Sequence, residues 1–345
     1  MKRNTILFMA AMVVAFVACN REEQPQAENT NTIKSFSVSM PVMSNGTETK
    51  TGLYDDSGVE KLVWKTGDRI YVARASEVAG LQGYSVAYET FSTDANNTQT
   101  ATFTTTGSGI EADTKYIVAY TGPTTTGPNA GKILATSSAN YIHVDVPSNQ
   151  TYVEDGIAPL TMPMYAFGSE LHNLAFHCLG NIVRLNLYSS IANVKVTRIT
   201  LSSAIADNLE GGRWNAIAGD YAIWTTNLES LASYDTSFGL YNPYATTGTA
   251  SGTVVLDCSS SDPLSSDSAD PTAFNIVISR RSNGVYDGTE NFSGGTSNIT
   301  ATIEWTKNGD VQTPKVVELT NLTRERRVLL GQIFNFGAKD IISIP

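Results

Sequence analysis

The chain has 345 residues and a formal net charge of −10, from 23 Lys and Arg against 33 Asp and Glu. Nucleic-acid binding needs basic surface for the phosphates, so this acidic balance argues against a nucleic-acid partner. Charged residues make up 16% of the chain, below the roughly 25% of an average globular protein, and Ser, Thr, Asn and Gly take their place. This composition favours β-sheet over helix, and the length suggests two domains.

The first nineteen residues have the order of an export signal that ends in a lipidated cysteine. Lys2 and Arg3 give a positive start, and residues 6–17 form an apolar run that is too short to span a bilayer as a helix. The run ends Val17-Ala18-Cys19, with small residues before a single Cys, which is the pattern of a lipobox. We therefore expect residues 1–18 to be a signal peptide and Cys19 to carry several acyl chains, which is enough for stable membrane anchoring.

A polar tether at residues 19–32 follows, and strand patterns then dominate. The tether lacks a large apolar side chain and is predicted to be disordered. In residues 33–40, Phe36, Val38 and Met40 alternate with serines, which predicts a half-buried strand. Further strands are predicted at residues 62–64, 69–73, 84–88, 101–105, 116–120, 141–146, 162–167, 174–178, 182–188, 195–202, 252–257, 273–278, 298–304, 315–319 and 327–336. Gly and Asn punctuate these runs at a spacing typical of β-sandwiches, so the fold class is predicted to be all-β.

The strands at 62–64 and 69–73 are joined by a turn around Gly67. We expect Trp64, which precedes this turn, to lie in the core. We expect Asp68 to accept hydrogen bonds from nearby backbone N–H groups, as turn aspartates do.

The sequence contains no catalytic motif, and we expect the protein not to be an enzyme and to need no cofactor. The three histidines, His143, His172 and His177, make no metal-ligand pattern with the cysteines, so no metal site is predicted. Cys178 and Cys258 could pair as a disulfide in an oxidising envelope, or could be two buried free thiols. The sequence leaves both alternatives open.

Three ordered groups of short motifs lie along the mature chain. The first comprises Ser35-Phe36-Ser37-Val38, Thr49-Lys50-Thr51 and Trp64-Lys65-Thr66-Gly67-Asp68-Arg69-Ile70. The second comprises Pro163-Met164-Tyr165-Ala166, Leu174-Ala175-Phe176-His177 and Asn181-Ile182-Val183-Arg184-Leu185, and the last is Gly331-Gln332-Ile333-Phe334-Asn335-Phe336. Together with the lipobox, this ordered set resembles the fimbrillin-like lipoproteins of Bacteroides-type bacteria, the type V pilins.

The resemblance implies two transthyretin-like β-sandwich domains in tandem, at residues 33–168 and 169–345. It implies a pilus subunit or accessory fimbrillin that supports adhesion, with other fimbrillin subunits as partners in a homo- or heteropolymer and a host or bacterial surface receptor. The implied location is the outer membrane at the cell surface, by lipid anchor, and the fimbrium if the chain is processed. The alternative is a non-polymerising surface lipoprotein that binds glycan or a host ligand, for which an aromatic platform would come from Trp224, Tyr234, Tyr241 and Tyr244.

Members of this family assemble by exchanging a strand. A trypsin-like protease, Arg-specific in the best-known members, removes the first strand, and the vacated groove accepts a strand from a neighbour's C-terminus. By this resemblance, Phe36, Val38 and Met40 belong to the strand that fills the groove. An exposed donor strand is expected at the C-terminus, through Ile341, Ile342 and Ile344.

The basic residues available for processing depart from the family pattern. No Arg lies between residue 33 and Arg69, and Lys50 occupies the best predicted loop, so cleavage between Lys50 and Thr51 requires a protease that accepts Lys. Without such a protease, the subunit stays unprocessed, as expected for an anchor or an accessory lipoprotein.

Two further motifs resemble signals of these bacteria. Arg21-Glu22-Glu23, close to Cys19, is similar to their basic-acidic-acidic surface-export signal, although a charged tether would have the same composition. Asp267-Ser268-Ala269 matches their acidic, hydroxyl, small pattern for O-glycosylation and lies in a predicted loop at residues 259–271. Ser268 is therefore a predicted glycosylation site.

The lipobox gives the first testable prediction. In cells given labelled palmitate, Cys19→Ala should accumulate as unprocessed precursor without label, because the thioether acceptor is gone. The Cys258→Ala variant is the control, since it retains Cys19 and should be labelled like the wild type. Undiminished labelling of Cys19→Ala would remove the basis for the anchor.

Overall fold

A computed structural model of the chain describes residues 32–40, 53–56, 59–74, 89–113, 115–120, 133–135, 140–154, 156–158, 161–172, 174–178, 180–203, 217–224, 251–279, 285–286, 292–293, 299–319, 333–336 and 342–344. These residues form strands, turns and irregular segments, and none of them lies in a helix. The all-β class predicted from the sequence is therefore confirmed. A helix long and apolar enough to cross a membrane is not found within these ranges.

The first half of the described chain contains thirteen strands. Their bounds are β1 Thr32–Ile33, β2 Ser35–Ser39, β3 Leu53–Asp56, β4 Val59–Leu62, β5 Arg69–Arg74, β6 Glu89–Ser92, β7 Thr100–Thr104, β8 Ile110–Glu111, β9 Tyr116–Tyr120, β10 Ile133–Ala135, β11 Asn140–Val146, β12 Asn149–Thr151 and β13 Met164–Gly168. Strands β2, β5, β7, β9, β11 and β13 match predicted positions. The strand predicted at residues 62–64 overlaps β4 only at Leu62, and the one predicted at residues 84–88 lies outside the described residues. The sequence patterns do not predict the short strands β3, β6, β8, β10 and β12.

The described part of the second half adds fourteen strands. Their bounds are β14 Leu174–Ala175, β15 His177–Cys178, β16 Gly180–Tyr188, β17 Val194–Ser203, β18 Gly219–Trp224, β19 Thr253–Asp257, β20 Thr272–Ser279, β21 Val285–Tyr286, β22 Phe292–Ser293, β23 Ile299–Lys307, β24 Asp310–Val311, β25 Lys315–Leu319, β26 Ile333–Phe336 and β27 Ile342–Ser343. The long strands β16, β17, β20 and β23 match the predicted positions because each has a clear apolar pattern.

The largest sheet among these strands has the order β14-β2-β7-β6-β5-β9-β13-β15. Its two end strands, β14 and β15, are consecutive pieces of residues 174–178, here called the closing segment. Leu174 pairs with Val38 on β2, and His177 pairs with Tyr165 on β13. The closing segment therefore joins the two ends of the sheet.

The remaining long strands form two further sheets and a three-stranded one. One sheet has the order β12-β19-β17-β23-β24, with β25 also paired to β23. Another has the order β20-β16-β26, with β27 also paired to β16, and the three-stranded sheet has the order β10-β11-β18. Gln150 of β12 connects two of these sheets, because its side-chain amide donates to the Val277 carbonyl on β20 (2.7 Å) and accepts from the Val277 N–H (2.9 Å).

Strand pairing crosses the predicted domain boundary at residue 168 in both directions. Strand β11 pairs with β18 and β12 pairs with β19, although both precede the boundary. The closing segment follows the boundary and completes the first sheet. The predicted boundary follows the order of motifs along the chain. Strand pairing follows the burial of apolar faces instead, and it joins residues that are far apart in sequence.

Trp64 lies in the core, as predicted, with none of its surface exposed. Its ring makes edge-to-face contacts with Phe103, Tyr120 and Phe176 at centroid distances of 4.9, 5.5 and 5.4 Å. These three rings come from β7, β9 and the closing segment. Trp64 therefore ties three parts of the largest sheet together, and edge-to-face pairs stabilise by about 0.5–1.5 kcal/mol beyond area burial.

The C-terminal segment pairs with the chain's own sheet where the structure describes it. Ile342 and Ser343 pair in parallel with Leu187 and Tyr188 at the end of β16. Ile344 is fully buried, and its N–H donates to the Tyr188 carbonyl (2.9 Å). The expectation that this segment is exposed is therefore wrong for Ile344, since burial in the chain's own sheet stabilises an apolar side chain. The role of Ile341, Ile342 and Ile344 as a donor strand stays a prediction. Ile341 lies outside the described residues.

Cys178 and Cys258, whose pairing the sequence leaves open, are free thiols in the structure. Cys178 lies on β15 in the largest sheet, whereas Cys258 follows β19 in a different sheet, and each is buried. The structure therefore favours the alternative of two buried free thiols over the disulfide. Burial raises the pKa of each thiol to about 12, with the nearby Asp257 carboxylate adding to the effect at Cys258.

Buried thiols with so high a pKa should be inert in the folded protein, because the thiolate is the reactive form. We expect Ellman's reagent at pH 8 to react with neither Cys178 nor Cys258 in the folded chain that starts at Asn20. Both should react once the chain is unfolded in urea without reductant. An unfolded chain that yields no thiol would mean that the two cysteines had paired.

Candidate strand-exchange site

The strand predicted to fill a groove, β2, occupies an interior position in the largest sheet. Its five residues pair antiparallel with β7, from Ser35 opposite Thr104 to Ser39 opposite Thr100. On its other edge it pairs in parallel with β14. The pairing extends beyond the strand, because Met40 N–H donates to the Gln99 carbonyl (2.8 Å) and Phe176 N–H donates to the Ser39 carbonyl (3.0 Å). Both edges of β2 are therefore bonded to other strands.

The inward face of β2 is apolar and almost completely buried. Phe36, Val38 and Met40 expose 2%, 0% and 6% of their surface. The Phe36 ring meets the Phe91 ring of β6 edge-to-face, with centroids 4.8 Å apart. Burying each such side chain stabilises the fold by about 1.5–3 kcal/mol. The strand thus supplies a substantial share of the first sheet's core.

The outward face of β2 carries hydroxyl groups that meet those of β7. Ser37 Oγ lies 3.1 Å from Thr102 Oγ1, and Ser39 Oγ lies 2.9 Å from Thr100 Oγ1. Either partner of each pair can donate. These exposed pairs follow from the Ser-apolar alternation of β2 opposite the Thr-apolar alternation of β7, since successive side chains in a strand point to opposite faces.

The core of the largest sheet includes a buried carboxyl group. Asp68 Oδ2 accepts from the Lys65 N–H (2.8 Å), as predicted for a turn aspartate, and Asp68 Oδ1 accepts from the Tyr120 hydroxyl (2.9 Å). Burial raises the pKa of Asp68 above its ordinary value, and the two hydrogen bonds and the Lys65 charge oppose that rise. Tyr120 also contacts Trp64, so this carboxyl group helps to fix the aromatic cluster.

Ser268, another site residue named from the sequence, lies between β19 and β20. Ser268 is exposed in a turn, where Asp267 Oδ1 accepts from the Ala269 N–H (2.8 Å). Cys19, Lys50 and Thr51 lie outside the described residues. No cluster of three or more His, Cys, Asp or Glu side chains able to hold a metal ion occurs in the part of the chain that the structure describes.

Sequence reasoning missed the closing segment as a partner of β2. Leu174 and Ala175 pair with Val38 and Ser39, more than a hundred residues earlier. Residues 174–178 were predicted as a strand, but a parallel pairing over such a separation leaves no local signal.

No family model and no curated protein matches this chain. Among solved structures, a putative cell adhesion protein from Bacteroides uniformis is similar at 12% identity and a TM-score of 0.41, covering 90% of this chain and 92% of that one. The tip fimbrial protein Mfa3 of Porphyromonas gingivalis, with a C-terminal truncation, is similar at 9% identity and a TM-score of 0.33, covering 87% and 94%.

A third similar structure is described as one of the putative polysaccharide binding proteins of Bacteroides thetaiotaomicron. It has 10% identity and a TM-score of 0.30, and the match covers 88% of this chain and 90% of that one. Likenesses this distant do not transfer a function, which has to be argued from the residues of this chain.

The buried Asp68 predicts a pH dependence of stability. Its pKa is higher in the folded chain than its ordinary value of 3.8, so the folded state binds the proton more tightly than the unfolded state does. The contribution of Asp68 to the free energy of unfolding is therefore fully present below pH 3.8 and is lost as the pH rises through the folded pKa. The Asp68→Asn variant has no titratable group at this position and therefore lacks this pH dependence.

Between pH 3.8 and the folded pKa of Asp68, we accordingly expect the unfolding free energy of the wild type to fall relative to that of Asp68→Asn. Above that range the difference should be constant. Urea unfolding of both proteins at a series of pH values measures it, and subtraction removes the titration of the other carboxylates. A difference that moves in favour of the wild type as the pH rises would contradict the burial argument.

Proposed function

We propose that this chain is a surface lipoprotein that acts as a fimbrial subunit or accessory fimbrillin, assembles by strand exchange and supports adhesion. The observation that carries the proposal is the setting of β2. It is the first long strand of the described chain, it lies between β7 and β14, and its inward side chains Phe36, Val38 and Met40 are buried. The ordered motifs and the lipobox of the sequence support the same function.

The setting of β2 is the one that strand exchange requires. Loss of the strand would leave unpaired backbone groups along β7 and β14 and an apolar slot beside Phe91. Such an edge is a template for another strand, which gains ladder hydrogen bonds and side-chain burial when it binds. The fold is then completed by a strand from a neighbouring molecule instead of by its own.

The donor in this proposal is the C-terminal segment of a neighbour, through Ile341, Ile342 and Ile344. Because residues 342–344 pair with β16 in the described conformation, the segment must first be released. Only Ile342 and Ser343 form the ladder of β27, so few backbone bonds oppose release. The burial of Ile344 is the larger cost, and it is regained when the side chain enters the neighbour's groove.

Lys50 and Thr51 flank the bond whose cleavage would free β2 in this proposal. A protease that accepts Lys at this position makes the chain a polymerising subunit in the fimbrium. Without cleavage, the acylated Cys19 holds the chain at the outer membrane as an anchor or accessory lipoprotein. Ser268, exposed in its turn, is the proposed acceptor for a glycan at the cell surface.

The test is limited digestion of the purified chain that starts at Asn20 with a Lys-specific protease. Cleavage after Lys50 should give a new N-terminus at Thr51, and polymers should follow that are visible by size-exclusion chromatography and electron microscopy. The Lys50→Ala variant should resist this cleavage and stay monomeric. Lys50→Arg is the matched control, since it should be cut by an Arg-specific protease instead and should then polymerise.

Two results would contradict the proposal. If the chain with its N-terminus at Thr51 has lost residues 33–40 and remains a stable monomer, strand exchange is the wrong mechanism. If Lys50→Ala polymerises as readily as the wild type, assembly does not depend on freeing β2. Either result would favour the alternative of a non-polymerising lipoprotein that binds a glycan or host ligand.

A further inference from the structure

We propose that Thr102 of β7 is a specificity-determining residue, which selects a strand that carries a hydroxyl side chain between large apolar ones. The inference rests on the proposed strand exchange and names the strand chemistry that the site accepts. It also names the occupant, which is Ile342-Ser343-Ile344 of a second copy of this chain, with Ser343 at the position that Ser37 now fills.

Backbone pairing alone cannot select the incoming strand. The ladder that β7 and β14 offer to β2 is made of N–H and C=O groups, which every residue except proline can complete. Selection therefore depends on side chains at alternate positions. The inward positions demand large apolar groups, since Phe36 and Val38 are buried and Phe36 packs on Phe91. Many strands of an all-β protein satisfy that demand.

The outward positions add a second condition. Ser37 and Ser39 each meet a threonine hydroxyl of β7 within hydrogen-bond distance, at 3.1 and 2.9 Å. Cross-strand hydroxyl pairs of this kind contribute to pairing. A slip of one residue would turn the serines into the core and Phe36 out to water, so the alternation as a whole is selected.

The C-terminal segment meets both conditions at Thr102. In the same register Pro345 would face Thr100, so the selection of this segment depends on Thr102 alone. Ile342-Ser343-Ile344 repeats the apolar, hydroxyl, apolar order of Phe36-Ser37-Val38. Ile344 is fully buried, whereas Ser343 keeps part of its surface exposed. The segment is therefore already extended with the alternation that the groove requires.

The neighbouring strand β26 meets only the first condition. Its sequence Phe334-Asn335-Phe336 has the apolar spacing but places an amide where the groove meets a hydroxyl. The comparison of Ser343 with Asn335 assigns the occupant to β27 and not to β26. This choice between two adjacent C-terminal strands is what the experiment decides.

The experiment uses the full chain with a site for a sequence-specific protease inserted between residues 44 and 49. After cutting, residues 33–40 are held by non-covalent contacts alone and can be displaced by fluorescent peptides. The probes are peptides of residues 33–40 and 339–345, each with its Ser37→Ala or Ser343→Ala version. Displacement and affinity are followed by fluorescence anisotropy and mass spectrometry.

We expect each serine-to-alanine change to weaken binding by roughly two- to fivefold, the range of one cross-strand pair. Thr102→Val in the protein should weaken the serine peptides by a similar factor and leave the alanine peptides unaffected, which is the coupling a double-mutant cycle detects. Thr90→Val on β6 is the matched control, because Thr90 is exposed and pairs with Tyr71 on β5 instead of β2. It should change neither affinity. A peptide of residues 331–337, which carries Asn335, should bind more weakly than that of residues 339–345.

The outcomes distinguish a failure of side-chain selection from a failure of strand exchange itself. If peptides exchange into the cut chain but serine and alanine versions bind equally, selection by Thr102 is overturned while strand exchange stands. Stronger binding of the 331–337 peptide would overturn the assignment to β27. If no peptide displaces residues 33–40, strand exchange itself is overturned, and the selection proposal with it.

Discussion

The first sheet depends on the pairing of β2 with β7 on one side and with the closing segment on the other. The second contact is the less obvious of the two. Because residues 174–178 pair with β2 through Leu174 and with β13 through His177, the sheet is closed only while β2 is present. Phe176 lies between those two pairings and contacts Trp64. A single strand near the start of the fold thus supports the contacts of its aromatic core.

Local sequence patterns predict best the strands in which apolar and polar side chains alternate strictly. Phe36, Val38 and Met40 were predicted to share one face of a strand, and all three are buried. Trp64 and Asp68 took the core and turn positions predicted for them. In each case the signal is carried by residues within a few positions of one another, where side-chain period and turn chemistry act directly.

Failures of prediction came where the determining contact lies far away in sequence. Nothing near Leu174 indicates that it pairs with Val38, and nothing near Gln150 indicates that its amide completes the bonding of Val277 on β20. The C-terminal Ile344 illustrates the same limit. The apolar sequence around it fits an exposed donor strand and a strand of the chain's own sheet equally well. Only the pairing of β27 with the end of β16 decides between the two.

The energetics explain why a cut, and not an open groove, would start assembly in the proposed mechanism. Three buried side chains at about 1.5–3 kcal/mol each are comparable with the whole stability of a small domain, about 5–15 kcal/mol. A chain that lacked β2 without a replacement would therefore be close to unfolding. While β2 is covalently attached, its effective concentration at the groove is in the millimolar range or above, which no free neighbour matches. Cleavage removes that advantage without altering a contact. A strand of similar burial from an adjacent subunit can then compete, and the hydroxyl pairs on the outward face favour the strand that has the same alternation as β2.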